Sequence, residues 1–463
     1  MMAMTIGEIA QAARATRVRG ELERLVEGIS TDTRTLKWGD FFVAIRGENF
    51  DGHDFVDDAI RKGASGVLVE DRMLKRPYAG TATVLRVRDT LAALGDVARE
   101  YRSRFTVPFV AVTGSNGKTT TKEMIAHVLS PQGKLVWAKR SFNNFIGLPL
   151  TLFEVVPDAF AVVLEMGTSA PGEIRRLCDI ARPTIGVITN ISTTHLEWLK
   201  SIEGVAAAKA ELLEALGTGG VAILNADDEW SRKIRHLAKG KLVTFGAADD
   251  ADIIARDVHV DTEGLSFVTN EHVRVELSVP GRHNVSNALA AIAVCRRLGL
   301  DMKTVAARLA SFAGVPMRME LVQVGAVTVL NDAYNANPGS MSAALDAFRR
   351  HRTSCTRHFV CGDMLELGPD SPRCHRELGA VIAASDVDRL WLLGTEVQAT
   401  REGALEAGMP KDAIVLSDDY DALEAKLMDA LADGDVVLLK GSRGMRVERV
   451  MDGLRAREES RRK

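Results

Sequence analysis

Residues 114–120 read GSNGKTT and directly follow the short β-branched run FVAVT. Gly114 and Gly117 allow backbone N–H groups to turn toward an anion, and the N-terminus of the following helix adds a favourable dipole. Lys118 can then reach terminal phosphates, and the Thr119 hydroxyl can bind Mg²⁺. Val112 stands where the full GxxxxGK[ST] pattern has its first glycine, so an ordinary strand–turn–helix junction is the alternative. The pattern favours a loop for the phosphates of ATP, formed by Gly114, Ser115, Asn116, Gly117, Lys118, Thr119 and Thr120.

Two further polar residues follow predicted strands in the same region. Glu165 ends the run FAVVLE, and His195 lies a few residues after TIGVITN. Ligands of open parallel sheets collect outside the carboxyl ends of the strands, so both side chains are expected beside the phosphate loop. Either residue alone is more often a cap or a surface group. A carboxylate and an imidazole together beside a nucleotide are suited to holding Mg²⁺, directly or through water.

Lys209 lies in the helical segment SIEGVAAAKAELLEALG, close to Leu212 and Leu213. A lysine on a packing face is costly unless it is paired or chemically altered. The usual alternative is a side chain that extends its amine into water. From the residues alone, that alternative is favoured.

Three more segments carry side chains able to contact a nucleotide. Asn284 and Asn287 lie one turn apart on one helix face, where they would contact a base edge or fix the helix to a neighbour. Arg318, between the second and third predicted domains, can place a guanidinium on a phosphate. Asp332, Tyr334 and Asn335 follow the strand AVTVL, although Asn and Asp are also common in plain turns.

The elements that position these residues alternate along the chain. From Phe109 onward, short β-branched runs alternate with helical patterns, which predicts parallel sheets covered by helices. The first hundred residues differ, with strands such as WGDFFVAIRG and GVLVED before a helix. We therefore predict an α/β protein of three domains. These are a small mixed α/β domain over residues 1–105, a central P-loop ATPase-like domain with a parallel sheet over 106–315, and a Rossmann-like domain over 316–463.

Composition excludes several other classes. The 463 residues are 46% hydrophobic and 26% charged, as in globular proteins, and the net charge of −3 gives no reason to expect nucleic acid or membrane binding. The apolar runs are strand-sized, and the N-terminus lacks the apolar core of a secretory signal. The five cysteines show no CxxC spacing, so reduced thiols in a cytoplasmic protein are expected.

Seven segments together resemble the Mur ligases: TGSNGKTT, EMGTSAPGEI, NISTTHLE, AAAKAELLEAL, PGRHNVSNALAA, NDAYNANPGSM and LLKGSRGMRVERV. They occur in the order of the family and span nearly the whole chain. The segments STDTRTLKWGDFFVAIRGENFDGHDF, AYNANP and GDMLELG resemble the branch that joins D-alanyl-D-alanine to UDP-N-acetylmuramoyl-tripeptide. The resemblance implies an ATP-dependent ligase of peptidoglycan precursor synthesis that works through an acyl phosphate, and we expect a monomer with small-molecule substrates.

The resemblance also implies roles for individual residues. Lys209 would be carbamylated and would hold a second Mg²⁺ near His195, whereas Thr119 and Glu165 would hold the first. Asn284 and Asn287 would contact adenine, Asp332 the ribose and Arg318 the γ-phosphate, with Lys118, Lys209, His195 and Arg318 as the catalytic set. The implied substrate contacts are Ser30, Asp32, Arg34, Asn49, Asn143, Asn144 and Thr168.

Two other functions are compatible with parts of this pattern. A sibling ligase adding a single amino acid, as in folylpolyglutamate synthesis, shares the phosphate loop but begins near it. A nucleotide-binding regulatory protein without turnover is the alternative from another class. The joint presence of Lys118, Thr119, Glu165, His195 and Lys209 argues against it. Lys440, Ser442 and Arg443 are plausible dipeptide contacts or, equally, an ordinary turn at a strand end.

Overall fold

The computed structural model describes residues 3–47, 50–73, 80–350 and 354–461. Its β-strands form a two-stranded sheet and three larger sheets of five, nine and six strands. Each larger sheet corresponds to one of the three predicted units, and the three-domain α/β prediction is confirmed. The exact boundaries at 105 and 315 stay a prediction.

The N-terminal unit contains a five-stranded mixed sheet and three helices. Its strand order is β2-β7-β6-β5-β4, with β2 antiparallel to β7 and the other pairs parallel. Its elements are β1 (Met4–Thr5), α1 (Ile6–Ala12), β2 (Thr16–Arg19), β3 (Leu25–Val26), β4 (Ile29–Ser30), β5 (Phe41–Val43), α2 (Val56–Arg61), β6 (Gly66–Glu70), β7 (Thr83–Val87) and α3 (Thr90–Ser103).

The central unit carries the phosphate loop. Its elements are β8 (Phe109–Thr113), α4 (Lys118–Leu129), β9 (Lys134–Trp137), α5 (Gly147–Phe153), β10 (Ala159–Glu165), α6 (Glu173–Ala181), β11 (Ile185–Ile188), α7 (Leu196–Leu199), α8 (Ile202–Ala215), β12 (Val221–Asn225), α9 (Glu229–Ile234), β13 (Lys241–Gly246), β14 (Ile253–Val260), β15 (Leu265–Thr269), β16 (Arg274–Leu277), α10 (His283–Arg297) and α11 (Met302–Ala310).

The nine strands of the central sheet lie in the order β16-β15-β14-β13-β12-β11-β8-β10-β9. In this order, all neighbouring strands from β14 through β8 to β9 pair in parallel. Strands β14, β15 and β16 form an antiparallel extension that the sequence did not predict. Strand β8 lies between β10 and β11, so the phosphate loop, Glu165 and the segment leading to His195 leave the sheet at one edge. This arrangement is the one expected from the carboxyl ends of parallel strands.

The C-terminal unit is a six-stranded sheet in the order β17-β18-β22-β19-β20-β21, parallel except for the β17–β18 hairpin. Its elements are β17 (Glu320–Val324), β18 (Val327–Asn331), α12 (Pro338–Arg350), β19 (Arg357–Gly362), α13 (Ser371–Ala383), β20 (Arg389–Leu393), α14 (Val397–Glu406), β21 (Ile414–Ser417), α15 (Tyr420–Ala430), β22 (Val436–Lys440) and α16 (Val450–Arg461).

Alternate residues of β8 face the two cores of the central sheet. Phe109 and Ala111 pack in a cluster with α3, α5, α6 and α8, whereas Val110 and Val112 pack with α4, α10 and α11. Burial of both faces explains why the strand reads as an uninterrupted apolar run. The first cluster continues into the N-terminal unit through Tyr101 of α3, whose hydroxyl donates to Val155 O at 2.7 Å. The first two units therefore share one core.

Two remaining expectations concern the chain as a whole. Cys178, Cys295, Cys361 and Cys374 are buried free thiols, as expected from the spacing of the cysteines. Within the described residues, no helix is both long and apolar enough to cross a membrane.

Candidate active site

The phosphate loop requires glycine at two positions. Gly114 has φ 147° and Gly117 has φ 80°, both in the region that side chains rarely adopt. A Cβ at Gly114 would lie 1.9 Å from Thr189 Oγ1, and one at Gly117 would lie 2.2 Å from Asn287 Oδ1. Helix α4 begins at Lys118, immediately after Gly117. The backbone N–H groups of the loop and the positive end of α4 therefore meet at one point, which is the arrangement that binds anions.

Lys118 folds over this loop. Its Nζ donates to Gly114 O at 2.8 Å and to Ser115 O at 3.2 Å. Burial lowers the pKa of Lys118 to about 8, the attraction of Glu165 opposes this shift, and the positive charge of Arg318 adds to it. Bound phosphates would reverse the balance, because negative charge close to an amine favours its protonated form.

The other polar side chains of the loop bond to the segment after β11. Ser115 Oγ donates to Ser192 O at 2.9 Å, and the Asn116 backbone N donates to Asn190 Oδ1 at 3.0 Å. Thr189 Oγ1 donates to Asn116 O at 2.6 Å. These bonds fix the loop before any ligand arrives. A direct nucleotide contact by the Ser115 and Asn116 side chains stays a prediction.

A cavity of about 410 Å³ opens in front of the phosphate loop and is lined by residues from several of the segments singled out in the sequence. Its walls come from the central unit and from the C-terminal unit. The predicted site residues that line it are Ser115, Asn116, Gly117, Lys118, Thr119, Thr120, Asn143, Asn144, Glu165, Thr168, His195, Arg318, Tyr334 and Asn335.

Glu165 is the buried acid of this cavity, with an exposed fraction of 1%. Its Oε1 accepts a hydrogen bond from Asn143 Nδ2 at 2.9 Å, whereas its Oε2 is buried and has no hydrogen-bond partner among the described residues. A buried carboxylate oxygen is costly unless a donor or cation meets it. Glu165 therefore fits the role of a cation ligand beside the phosphates.

The donor set suits Mg²⁺ bound together with a nucleotide. Among the described residues, no three His, Cys, Asp or Glu side chains converge in a way that could hold a metal alone. Magnesium commonly takes one or two carboxylates, with waters and substrate phosphates completing its six ligands. Glu165 and the Thr119 hydroxyl, both at this cavity, match that pattern.

Lys122 is a site residue that the sequence analysis missed. Its side chain is fully buried, and its Nζ donates to Ala138 O at 2.6 Å and Arg140 O at 3.0 Å. The same Nζ lies 3.8 Å from Glu165 Oε2. Lys122 therefore joins the phosphate-loop helix to the segment that carries Asn143. Its position one turn after Lys118, on the same face of α4, was the available signal.

Lys209 lies on α8 with an exposed fraction of 2%, so the alternative of an amine in water is wrong. Burial, and secondarily the charge of Lys118, hold the pKa of Lys209 well below its ordinary value. Lys209 is not among the residues that line the cavity. Glu211, two residues later, anchors α8 by accepting from Gly172 N at 2.7 Å and Arg175 N at 2.8 Å.

Arg318 and Tyr334 form one wall of the cavity. The guanidinium of Arg318 lies 3.9 Å from the Tyr334 ring centroid, and its buried Nε has no hydrogen-bond partner in the described part of the chain. The Tyr334 hydroxyl bonds to Ser141 Oγ of the central unit. Arg318 and Tyr334 both line the cavity in front of the phosphate loop.

Asp332 is held by Lys440, whose exposed fraction is 2%. The Lys440 Nζ bonds to Asp332 Oδ2 and donates to Asn335 O at 3.0 Å. Lys440, a candidate dipeptide contact by sequence, is instead engaged in fixing the turn that carries Tyr334 and Asn335. The Asp332 contact with a ribose stays a prediction.

Asn284 and Asn287 are both buried on α10 and bond to one another, Asn287 Nδ2 donating to Asn284 Oδ1 at 2.9 Å. Asn284 Nδ2 donates to Pro280 O at 2.7 Å. Asn287 packs directly beneath Gly117. These contacts support the structural interpretation of the pair, and contact with adenine stays a prediction.

His195 meets the C-terminal unit. Its Nδ1 bonds to Glu366 Oε2, a residue that the sequence analysis did not propose for the site. This hydrogen bond lowers the pKa of the Glu366 carboxyl. The motif GDMLELG that contains Glu366 was noted only as a resemblance.

The remaining substrate candidates lie in the N-terminal unit. Asp32 and Arg34 line a separate cavity of about 500 Å³, whose rim includes the exposed Phe50. Ser30 lies beside it and donates from Oγ to Asp32 O at 3.0 Å. Asn49 lies outside the described residues.

Comparison with known proteins identifies relatives along the whole chain. The profile described as Mur ligase family, catalytic domain, matches residues 25–102, the Mur ligase middle domain matches 112–295, and the Mur ligase, glutamate ligase domain, matches 317–443. The UDP-N-acetylmuramoyl-tripeptide–D-alanyl-D-alanine ligase of Bacillus subtilis is 37% identical, over 98% of this chain and 99% of its own.

Solved structures agree in fold. A crystal structure of MurF from Acinetobacter baumannii superposes with a TM-score of 0.89 at 28% identity, covering 98% of this chain and 99% of that one. MurF ligase from Thermotoga maritima in complex with ADP superposes with a TM-score of 0.81 at 29% identity, covering 94% of this chain and 98% of that one.

Replacement of Lys122 by Met tests its structural role. We expect Lys122→Met to lower the free energy of unfolding by about 2–4 kcal/mol, because two buried carbonyl groups lose their donor and Glu165 loses its neighbouring cation. Urea unfolding followed by circular dichroism measures the change. Lys139→Met is the matched control, since Lys139 makes an exposed pair with Glu154 and should change stability by less than about 0.5 kcal/mol. Equal stability of the two variants would refute this role.

Proposed function

The chain belongs to the Mur ligase family, and on that premise we propose that it joins D-alanyl-D-alanine to UDP-N-acetylmuramoyl-tripeptide. Cleavage of ATP to ADP and inorganic phosphate drives the reaction. The observation that carries the proposal is the single cavity in which the phosphate loop, the buried Glu165 and Arg318 meet residues of the C-terminal unit. The full-length relationship to ligases named for this reaction supports the choice of substrates.

The first step forms an acyl phosphate. A carboxylate oxygen of the tripeptide attacks the γ-phosphorus of ATP, the bond from that phosphorus to the β-phosphate oxygen breaks, and ADP leaves. Lys118 and Arg318 stabilise the negative charge that spreads over the transferring group. Asn143, Asn144 and Thr168 line the same cavity and are positioned to hold the peptide carboxylate. Positioning and electrostatics supply the catalysis, and no covalent nucleophile is needed.

The second step forms the amide. The amine of D-alanyl-D-alanine attacks the acyl carbon, the carbon–oxygen bond to phosphate breaks, and inorganic phosphate and the amine proton leave. A second cavity of about 200 Å³ shares Lys118 and His195 with the first and is lined mainly by the C-terminal unit. Leu365 and Leu367 offer contacts for methyl groups, and Arg443 offers a partner for the carboxylate. This cavity supports an acceptor site at that place.

Magnesium fits the residues around the phosphates. Glu165 and Thr119 would hold one ion, and His195 would lie near a second ion held by a carbamate on Lys209. The bound metal would neutralise phosphate charge and orient the γ-phosphate. Carbamylation needs an unprotonated amine, and the depressed pKa of Lys209 supplies that form.

The nucleoside of ATP has a suitable place next to the phosphates. A cavity of about 920 Å³ between α4 and the segment joining the second and third units shares Thr119, Arg318 and Tyr334 with the first. His127, Trp137 and Phe312 supply ring surfaces in its walls. We propose that the base and ribose occupy this region, with Asn284, Asn287 and Asp332 acting on it directly or by fixing its walls.

Closure of the C-terminal unit about the segment near Arg318 completes the site in our proposal. Three polar contacts between units support it: Asn337 Nδ2 donates to Asn116 Oδ1 at 2.7 Å, the Tyr334 hydroxyl bonds to Ser141, and Glu366 bonds to His195. Polar contacts of this kind form and break readily compared with an apolar core. We further propose a monomeric enzyme that acts in the cytoplasm, where ATP and UDP-linked precursors occur.

Phosphate release tests the function directly. We expect release from ATP with Mg²⁺, UDP-N-acetylmuramoyl-tripeptide and D-alanyl-D-alanine to exceed release with L-alanyl-L-alanine or single amino acids at least ~100-fold, because a site built around one acceptor leaves polar groups unpaired with another. The tripeptide is supplied with lysine or diaminopimelate at its third position. Preference for a single amino acid would favour a sibling ligase. No release with any acceptor would favour a homologue without turnover.

Lys209→Ala tests the carbamate. We expect loss of activity of about 10³-fold, because an anionic metal ligand is removed, and partial recovery on addition of short carboxylic acids that can occupy its place. Steady-state phosphate release with and without acetate measures both effects. Lys200→Ala, at an exposed lysine just before α8, serves as the control. Full activity of untreated Lys209→Ala would contradict the two-metal proposal.

Arg443→Met tests the acceptor site. We expect the KM for D-alanyl-D-alanine to rise about 10- to 100-fold, the value of one charge-assisted hydrogen bond, while the KM for ATP stays within about twofold. The amide of the dipeptide, which lacks the carboxylate, should be used equally poorly by the variant and the unaltered enzyme. Arg449→Met is the control, since Arg449 stacks on Tyr420 outside these cavities. A rise in the KM for ATP instead would assign Arg443 to the nucleotide.

A further inference from the structure

The turn that carries His195 is held by the C-terminal unit through one short segment. Glu366 accepts from His195 Nδ1 through its side chain and from Glu197 N at 3.2 Å through its backbone carbonyl. Gly368 packs against Glu197, where an added Cβ would lie 3.1 Å from Glu197 Cα. Residues 366–368 therefore cover the start of α7 at three points.

The backbone on both sides of this contact is constrained. His195 has φ 53° and Glu366 has φ 63°, both in the left-handed region that residues with side chains rarely occupy. Such conformations persist where the surroundings specify them and they cluster at functional sites. His195 also lies at the N-terminal end of the four-residue helix α7, which cannot fix its ring alone.

The segment that presents Glu366 is rigidly mounted in its own unit. Asp363 accepts from Thr395 N at 3.1 Å and from Val397 N at 2.9 Å. Met364 N donates to the buried His375 Nε2 at 3.0 Å, and Leu365 N donates to Ser442 Oγ at 2.9 Å. Glu366 therefore moves with the C-terminal unit as a fixed part of it.

Stability does not explain the contact. The His195 and Glu366 side chains are 26% and 49% exposed, and partly exposed ion pairs contribute little to folding. Orientation is the stronger effect, because the partner of one imidazole nitrogen decides which nitrogen carries the proton. An ionised carboxylate can only accept, so Nδ1 must donate.

The other ring nitrogen, Nε2, is available to a ligand. His195 Nε2 has no hydrogen-bond partner in the described parts of the chain, and the ring lines both the phosphate cavity and the acceptor cavity. In the neutral imidazole with its proton on Nδ1, Nε2 carries a lone pair. That lone pair can meet a cation, a metal-bound water or the incoming ammonium group.

We propose that Glu366 is a positioning residue, which fixes His195 as the Nδ1–H tautomer and makes its Nε2 lone pair available only when the C-terminal unit is docked. This inference rests on the proposed function for its kinetic consequences. Its structural core, the tautomer, does not depend on that function. Docking of the C-terminal unit then completes the site in two ways. It brings the walls of the cavity together, and it fixes the proton of His195 on Nδ1.

Nitrogen-15 NMR of labelled histidine tests the tautomer. The full chain is examined alone and with Mg²⁺ and a non-hydrolysable ATP analogue, and the His195 signals are assigned from their loss in His195→Ala. We expect a protonated Nδ1 and an unprotonated Nε2 in the unaltered protein, and a shift of the proton toward Nε2 in Glu366→Ala. An Nε2-protonated ring in both samples of the unaltered protein would overturn the proposal.

A double-mutant cycle tests the route of action. We expect Glu366→Gln, which keeps the shape but not the charge, to lower kcat about 10- to 100-fold with the KM for ATP within about twofold, as for other groups that orient a ligand-binding histidine. In the His195→Ala background the same change should lower kcat less than about twofold further, because residues that act through one another are not additive. Independent, additive losses would refute the proposal.

One control variant distinguishes a specific role of Glu366 from a general disturbance of the turn. A comparison of product formation with the NMR result distinguishes failure of this proposal from failure of the proposed function. Glu197→Gln changes an exposed carboxylate of the same turn whose side chain does not bond to His195, and it should leave kcat unchanged within about twofold. Equal losses in Glu197→Gln and Glu366→Gln would show general disturbance of the turn and overturn the specific role. If the unaltered protein forms no product from the dipeptide, the proposed function fails, and the NMR result still decides on Glu366.

Discussion

The structure depends on one buried carboxylate at the edge of the central sheet. Glu165 is 1% exposed, and only one of its two oxygens has a hydrogen-bond donor within the described chain. Burial of an ionised group without partners costs several kcal/mol, so the surroundings must compensate. Lys122 lies 3.8 Å away, and the charges of Lys118 and Arg318 act on the same region. Nearby cations and one amide donor offset part of the cost of burying this carboxylate.

The groups that offset the burial of Glu165 come from separate elements of the fold. Glu165 therefore links these elements to one another. Lys122 lies on the helix that follows the phosphate loop, Asn143 lies in the segment after β9, and Arg318 lies between the second and third units. A change at Glu165 therefore affects the phosphate-loop helix, the segment that carries Asn143 and the segment that carries Arg318. The site is a coupled set of charges in which no single pair can be altered alone.

Much of this architecture can be predicted from the local spacing of residues. Contacts between segments that are distant in the sequence cannot. The runs ending at Thr113 and Glu165 are apolar on both faces, which predicted buried parallel strands, and the glycines of the loop predicted its conformation. The sequence does not reveal the roles of three residues, because each contacts a residue that only the fold brings near. These residues are Lys122, Lys440 and Glu366. Lys440 pairs with Asp332 across 108 residues, and Glu366 meets His195 across 171. The β14–β16 extension was missed because its strands read as mixed polar segments, as expected for an edge with one solvated face.

The two buried lysines of the central unit show why position matters more than residue type. Burial raises the cost of protonating both lysines, and the positive charge of Lys118 raises it further at Lys209. A polyphosphate beside Lys118 removes the penalty there, because its negative charge favours the ammonium form. Lys209 lies outside the cavity wall and on a helix anchored by Glu211, so phosphate contact does not relieve it in the same way. A lysine side chain beside phosphates, as at Lys118, is therefore favoured as a cation. At Lys209 the neutral, nucleophilic amine is favoured. This difference supports our proposals that Lys118 binds phosphate and that Lys209 is carbamylated.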